Sequence, residues 1–140
     1  MKSNDLGALL EKSLKVVLDS RECTYWRLHT IRSFRGVSNP CDFVVLDKKF
    51  TALLECKATN NKSFSCARFQ QLQHFEKSIR YPHDALFGLL VYFHSDNPVF
   101  VYASDRKVLE NKENRRPINV LNKDSYDLVS DDLGSLVGSL

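Results

Sequence analysis

Two strand-like runs, Cys41 to Leu46 and Phe50 to Ala58, lie on either side of a turn centred between Lys48 and Lys49. That closeness constrains the fold more than any other feature of the chain. Runs so near in sequence pair as an antiparallel hairpin. Any symmetric loop, of two residues or four, pairs positions whose numbers sum to one value, so Asp42 falls directly opposite Glu55. Alternation adds Leu53 and Lys57 to their face and turns Leu54 and Cys56 to the other. The parity depends on an even loop: Lys-Lys lacks the Asn-Gly signature of a two-residue turn, and an odd loop would reverse it.

The elements around the hairpin suggest what covers it. From Asn4 to Ser20 the apolar residues Leu6, Leu9, Leu10, Leu14, Val17 and Leu18 recur at helical spacing. Glu11 falls at the border of that stripe, where a carboxylate can lean toward whatever the helix packs on. Thr24 to Ile31 reads as a strand, followed by the polar loop "RSFRGVSNP". Ser65 to Arg80 reads as a second helix with Phe69, Leu72, Phe75 and Ile79 inward, stopped by Tyr81-Pro82. Leu86 to Phe93 and Val99 to Ala103 are strands around the turn "HSDNP". After Ser104 only a short helix, Asp105 to Glu110, stands out before a basic loop, "NKENRRP", and a tail containing Gly and Ser. The order α-β-β-β-α-β-β predicts an α/β fold, with a central mixed sheet of about five strands flanked by helices.

Length and composition exclude several classes. At 140 residues the chain suits one domain, 1–140, and at 43% hydrophobic and 26% charged residues it is not a disordered segment. No apolar run is long enough to span a membrane, and Asp5 and Glu11 interrupt the N-terminus too early for a signal peptide. A cytoplasmic protein is expected, with Cys23, Cys41, Cys56 and Cys66 as reduced core or near-core residues. The histidines His29, His74, His83 and His94 lack metal-ligand spacing.

Two carboxylates held a few ångströms apart repel unless one is protonated or a cation lies between them. Oxygen-only ligands favour a hard cation, Mg²⁺ or Mn²⁺, which can also take phosphate oxygens. Lys57 beside such an ion can orient or deprotonate water, or neutralise a phosphate in the transition state. These parts suit hydrolysis of nucleic acid. Taken alone, Glu55 and Lys57 fit equally well a surface ion pair at a strand end.

The set Asp42, Glu55 and Lys57 resembles the PD-(D/E)xK nuclease signature, with Pro40 two positions before the aspartate and Cys41 between. Within that superfamily the stretch from Asp42 to about Lys107 is similar to the RecU-type Holliday junction resolvases of Firmicutes and their phages. The residues that carry the likeness are "ECKATNNKSF", the helix with Arg68 and Gln71, and "GLLVYF" followed by "VFVYA". The resemblance implies a restriction-endonuclease-like core in a bacterial or phage-infected cell. It implies a homodimeric, Mg²⁺-dependent (or Mn²⁺-dependent) endonuclease that nicks four-way DNA junctions symmetrically. It also implies that Glu11 joins Asp42 and Glu55 as a metal ligand and that Gln71 faces the site. Two features depart from the family. Only "RSFRGVSNP" stands where it carries a protruding segment, and Cys41 replaces its usual threonine. A smaller archaeal-type resolvase, a restriction or repair nuclease acting on other DNA, and a non-catalytic nucleic-acid-binding module of the same fold are the alternatives.

For the DNA itself, Arg27, Arg32, Arg35, Lys48, Lys49, Lys62 and Arg68 offer a phosphate-tracking surface, within a mild net charge of +3.

Overall fold

The computed structural model describes residues 3–28, 40–67, 69 and 71–140. Helix α1 (Ser3–Ser20) leads into strands β1 (Thr24–Arg27), β2 (Phe43–Leu46) and β3 (Thr51–Thr59). A two-residue strand β4 (Ser63–Phe64), helix α2 (Leu72–Arg80) and strands β5 (Leu86–Phe93) and β6 (Val99–Ser104) follow. The C-terminal part holds α3 (Asp105–Glu113), β7 (Ile118–Asn119), a 3₁₀ turn at Lys123–Ser125, β8 (Leu128–Ser130) and α4 (Leu133–Gly138).

The main sheet has six strands in the order β1-β2-β3-β5-β6-β8, antiparallel throughout except for the parallel β3–β5 pair. It is mixed and covered by helices on both faces, as the element order predicts. One face packs on α1 and α4 through Leu6, Leu10, Leu14 and Leu18, all fully buried and spaced four apart. On the other face α2 and α3 bring Phe75 and Val108 against Phe87, Leu89 and Val91. β5 is therefore enclosed on both sides, which is why it reads as a continuous apolar run rather than an alternating one. Gly88 within it is required by a close approach: the Tyr102 ring occupies the space a Cβ would take.

Several expectations change. The second helix begins at Leu72 rather than Ser65, because Ser63 and Phe64 pair with Ile118 and Asn119 as a separate two-stranded ribbon. Ile79 is not inward but 36% exposed. The tail supplies a sixth strand, β8, and a capped helix, α4, in which Asp132 accepts a hydrogen bond from the Ser135 amide. The expected first strand is described as far as Arg27; its continuation to Ile31 lies outside the described residues. Among the described residues no helix is long and apolar enough to cross a membrane.

Candidate active site

The β2–β3 hairpin closes through a two-residue turn, with the Asp47 amide donating to the Phe50 carbonyl at 2.9 Å. Its register pairs Phe43 with Leu54 and Val44 with Leu53. One step further the Asp42 amide donates to the Leu54 carbonyl at 3.0 Å, which sets Asp42 opposite Glu55. There the main-chain ladder stops. The next amide of β3, that of Cys56, donates instead to the Asp42 carboxylate at Oδ2, 2.8 Å away.

Glu55 lies on a central strand and is 1% exposed, a cost that a carboxylate normally meets with several hydrogen bonds. Its Oε2 has no partner. Burial first, then a hydrogen bond to Asp42 and repulsion from it, pushes the Glu55 carboxyl up to about 9, against the smaller pull of Lys57 and Arg27. In the metal-free protein Glu55 is thus a protonated acid held against Asp42. Lys57, two residues along the same face, is half-buried, with its Nζ 6.0 Å from the centre of the Phe69 ring.

Gln71 stands at the N-cap of α2 but does not cap it, and its Oε1 is buried without a partner. Three side-chain atoms are in that condition among the described residues, and two of them, on Glu55 and Gln71, line one open cleft. The cleft, of about 530 Å³, also takes in Asp42, Lys57 and, across from the sheet, Glu11 on α1. The small residues Gly7 and Ala8 line the helix side of it.

Arg27 is the residue that sequence reasoning misplaced. Grouped there with the surface cations, it instead enters the acidic cluster, with Nη2 2.7 Å from Glu11 Oε1 and 3.5 Å from Asp42 Oδ1. The hairpin arithmetic carries no signal for it, since Arg27 comes from β1, whose register against β2, Arg27 beside the core residue Phe43, is set by a long-range pairing outside the hairpin. Lys48 and Lys49 are exposed at the turn, six residues of strand and so roughly 20 Å from Asp42. They do not join the site. Lys62 is exposed just beyond β3, at the same end as Lys57. Arg32, Arg35 and Arg68 lie outside the described residues. Cys41 and Cys56 flank the carboxylates; burial and the neighbouring negative charge push the Cys41 thiol up to about 12 and Cys56 well above its ordinary value, so both are unreactive thiols.

Among the described residues no three His, Cys, Asp or Glu side chains converge into a group able to hold a metal ion. Two carboxylates do face each other at the cleft, one of them with a buried, unpartnered oxygen. That donor set suits a hard cation such as Mg²⁺, which binds through one or two carboxylates and keeps waters or phosphate oxygens for the rest.

No protein-family model matches this chain, and no curated protein shows significant sequence similarity to it. Among solved structures, the chain is similar to that of Archaeoglobus fulgidus Hjc, a Holliday junction resolvase from an archaeal hyperthermophile. The TM-score is 0.54 at 14% identity, over 72% of this chain and 78% of that one. In its six-stranded mixed sheet, its flanking helices and this likeness, the chain has a restriction-endonuclease-like fold.

Proposed function

We propose that the protein is a divalent-metal-dependent DNA endonuclease that resolves four-way junctions by paired symmetric nicks and works as a homodimer. One observation carries the reading: the facing pair Asp42 and Glu55, which line one cleft with Lys57 and Gln71 and in which Glu55 Oε2 is buried without a partner. The likeness to an archaeal resolvase and the RecU-like motif residues support the same chemistry from different sides.

Asp42 and Glu55 are the residues that would hold Mg²⁺ or Mn²⁺, and the ion when bound supplies a Lewis acid for the scissile phosphodiester. The chain's own groups do the rest. Gln71 Oε1, buried and unpartnered, accepts a hydrogen bond from the attacking water and fixes its direction. Lys57 stabilises the negative charge that grows on the phosphate or takes the proton the water loses. Burial of Glu55 keeps this constellation in low dielectric, where each of these charges counts for more than in water.

The dimer reading is supported by an exposed apolar patch. Trp26, Val44 and Leu46 share one face of β1–β2, where Trp26 is 51% and Leu46 43% exposed. A second copy seated there would supply the two-fold symmetry that paired nicks on a junction require.

The test is a panel of labelled four-way junction, fork, nicked and plain duplex, each with Mg²⁺ or EDTA. Paired nicks in the junction, only with Mg²⁺, are expected. Asp42→Asn should abolish them while binding survives, because removing negative charge does not weaken attraction to DNA. Full activity in EDTA overturns the metal reading, and equal rates on plain duplex overturn the junction reading. Light scattering checks the dimer: the parent chain should run at twice its monomer mass and Trp26→Glu at the monomer mass.

A further inference from the structure

We infer that Arg27 is a built-in counter-ion of the acidic cluster, taking the position of a second cation so that the cleft admits one divalent ion per chain. The inference rests on the metal-dependent reading above and goes beyond it, since it sets the number of ions and gives Glu11 a different task.

Arg27 is turned inward. As the last residue of β1 it pairs with Phe43, and its guanidinium lies 5.7 Å from the centre of the Phe43 ring. Nη1 donates to the Leu28 carbonyl, while Nη2 meets Glu11 at 2.7 Å and Asp42 at 3.5 Å. Four contacts therefore fix a side chain that, as a DNA-surface residue, would be left free to follow a phosphate. A guanidinium stays charged at every working pH and cannot yield its place by losing a proton. A divalent ion brought beside it meets strong repulsion at this range in a partly buried setting. The cleft already has its positive charge on the Glu11 side, where Arg27 is paired; the unmet acceptor, Glu55 Oε2, is on the Asp42–Glu55 side. Glu11 is then the anchor of Arg27, a positioning residue and not a metal ligand. The absence of any three-residue metal group among the described residues agrees with this division.

The test is Mn²⁺ titration of the metal-free protein, read by calorimetry and by the electron paramagnetic resonance of free Mn²⁺. The parent chain should bind one Mn²⁺, and Glu11→Gln should bind one as well. Arg27→Met, which leaves three carboxylates around the cleft, should bind two, or one at least about tenfold more tightly. Arg27→Lys keeps the charge and should stay at one, and it serves if the methionine variant fails to fold by circular dichroism. Two ions in the parent, or loss of its ion in Glu11→Gln, overturns the counter-ion role. So does unchanged binding in folded Arg27→Met while Asp42→Asn abolishes binding. Binding that appears in Arg27→Met but not in the parent overturns the one-ion cleft, since Arg27 would then exclude every divalent ion. No binding in any variant, Asp42→Asn included, is the distinct outcome in which the metal-dependent reading itself fails and takes this one with it.

Discussion

The two ends of the β2–β3 hairpin carry nearly the same groups and put them in opposite states. At the turn, Asp47 is only 5% exposed, but it accepts hydrogen bonds from Arg21 Nε and from the Lys49 amide, both at 3.0 Å. Those bonds, the Arg21 one first, hold its carboxyl below its ordinary value. At the open end, Glu55 is more deeply buried, has one oxygen with no partner, and is pushed up to about 9, by burial first. The lysines differ in the same way: Lys48 and Lys49 stand in solvent, while Lys57 leans over an aromatic ring inside a cleft. The difference teaches that charge type says little about function here. Unmet hydrogen-bonding capacity beside a partly buried cation is what distinguishes the candidate site from a stabilising ion pair.

The comparison breaks most sharply at the lysines. Lys57→Ala should slow single-turnover junction cleavage about 10²–10⁴-fold, the range for a positioned proton-transfer group, with little change in melting temperature. Lys48→Ala and Lys49→Ala should cleave within about twofold of the parent, the cost of one exposed phosphate contact at most. If Lys57→Ala cuts at the parental rate, the open end is only an ion pair.

A second, intermediate effect lies in the pH dependence of stability without metal. Glu55 holds a proton in the folded chain up to about 9 and in the unfolded chain only up to its ordinary 4.5. Between those values the folded state binds more protons, so stability falls as pH rises, by up to about 1.4 kcal/mol per pH unit. Melting temperatures measured in EDTA across that window should decline for the parent and level off for Glu55→Gln. A flat parental profile would put Glu55 in the same state as Asp47.

The smallest effect belongs to the turn. Asp47, held below its ordinary 3.8, adds stability that is present at neutral pH and lost as pH falls through its lowered value. Asp47→Asn should therefore cost at most about 1 kcal/mol at pH 7 and progressively less as pH falls below 3.8, with cleavage unchanged. Denaturant melts across that range measure it.

How far the sequence carried these distinctions depends on whether the relevant contact was local. Asp42, Glu55 and Lys57 were legible because a two-residue turn and strand alternation are short-range rules, and the turn proved even. The sheet and the buried α1 stripe followed from periodicity in the same way. Gln71 came only through resemblance, and its setting differs from the expected one. It precedes a helix that starts late, because Ser63 and Phe64 are drawn into pairing with Ile118 and Asn119, more than fifty residues away. β8 escaped because three residues with an exposed Val129 leave almost no pattern to read. The turn end shows the limit from the other side: Asp47 carried no sequence signal at all, since its partner Arg21 comes from the far side of α1's end.

The hydrogen bond from the Cys56 amide to Asp42 Oδ2 makes one backbone proton a witness to the site. β3 is paired with β5 along its other edge, and on this edge, beyond the end of the β2 ladder, the amide's bond is to that carboxylate. Whatever draws charge from Asp42, be it a proton, an ion or a phosphate's counter-charge, shifts the resonance of this one N–H and alters how fast its hydrogen exchanges. Occupancy of the cleft is thereby written into the backbone of the sheet, where it can be followed by magnetic resonance with no substrate present.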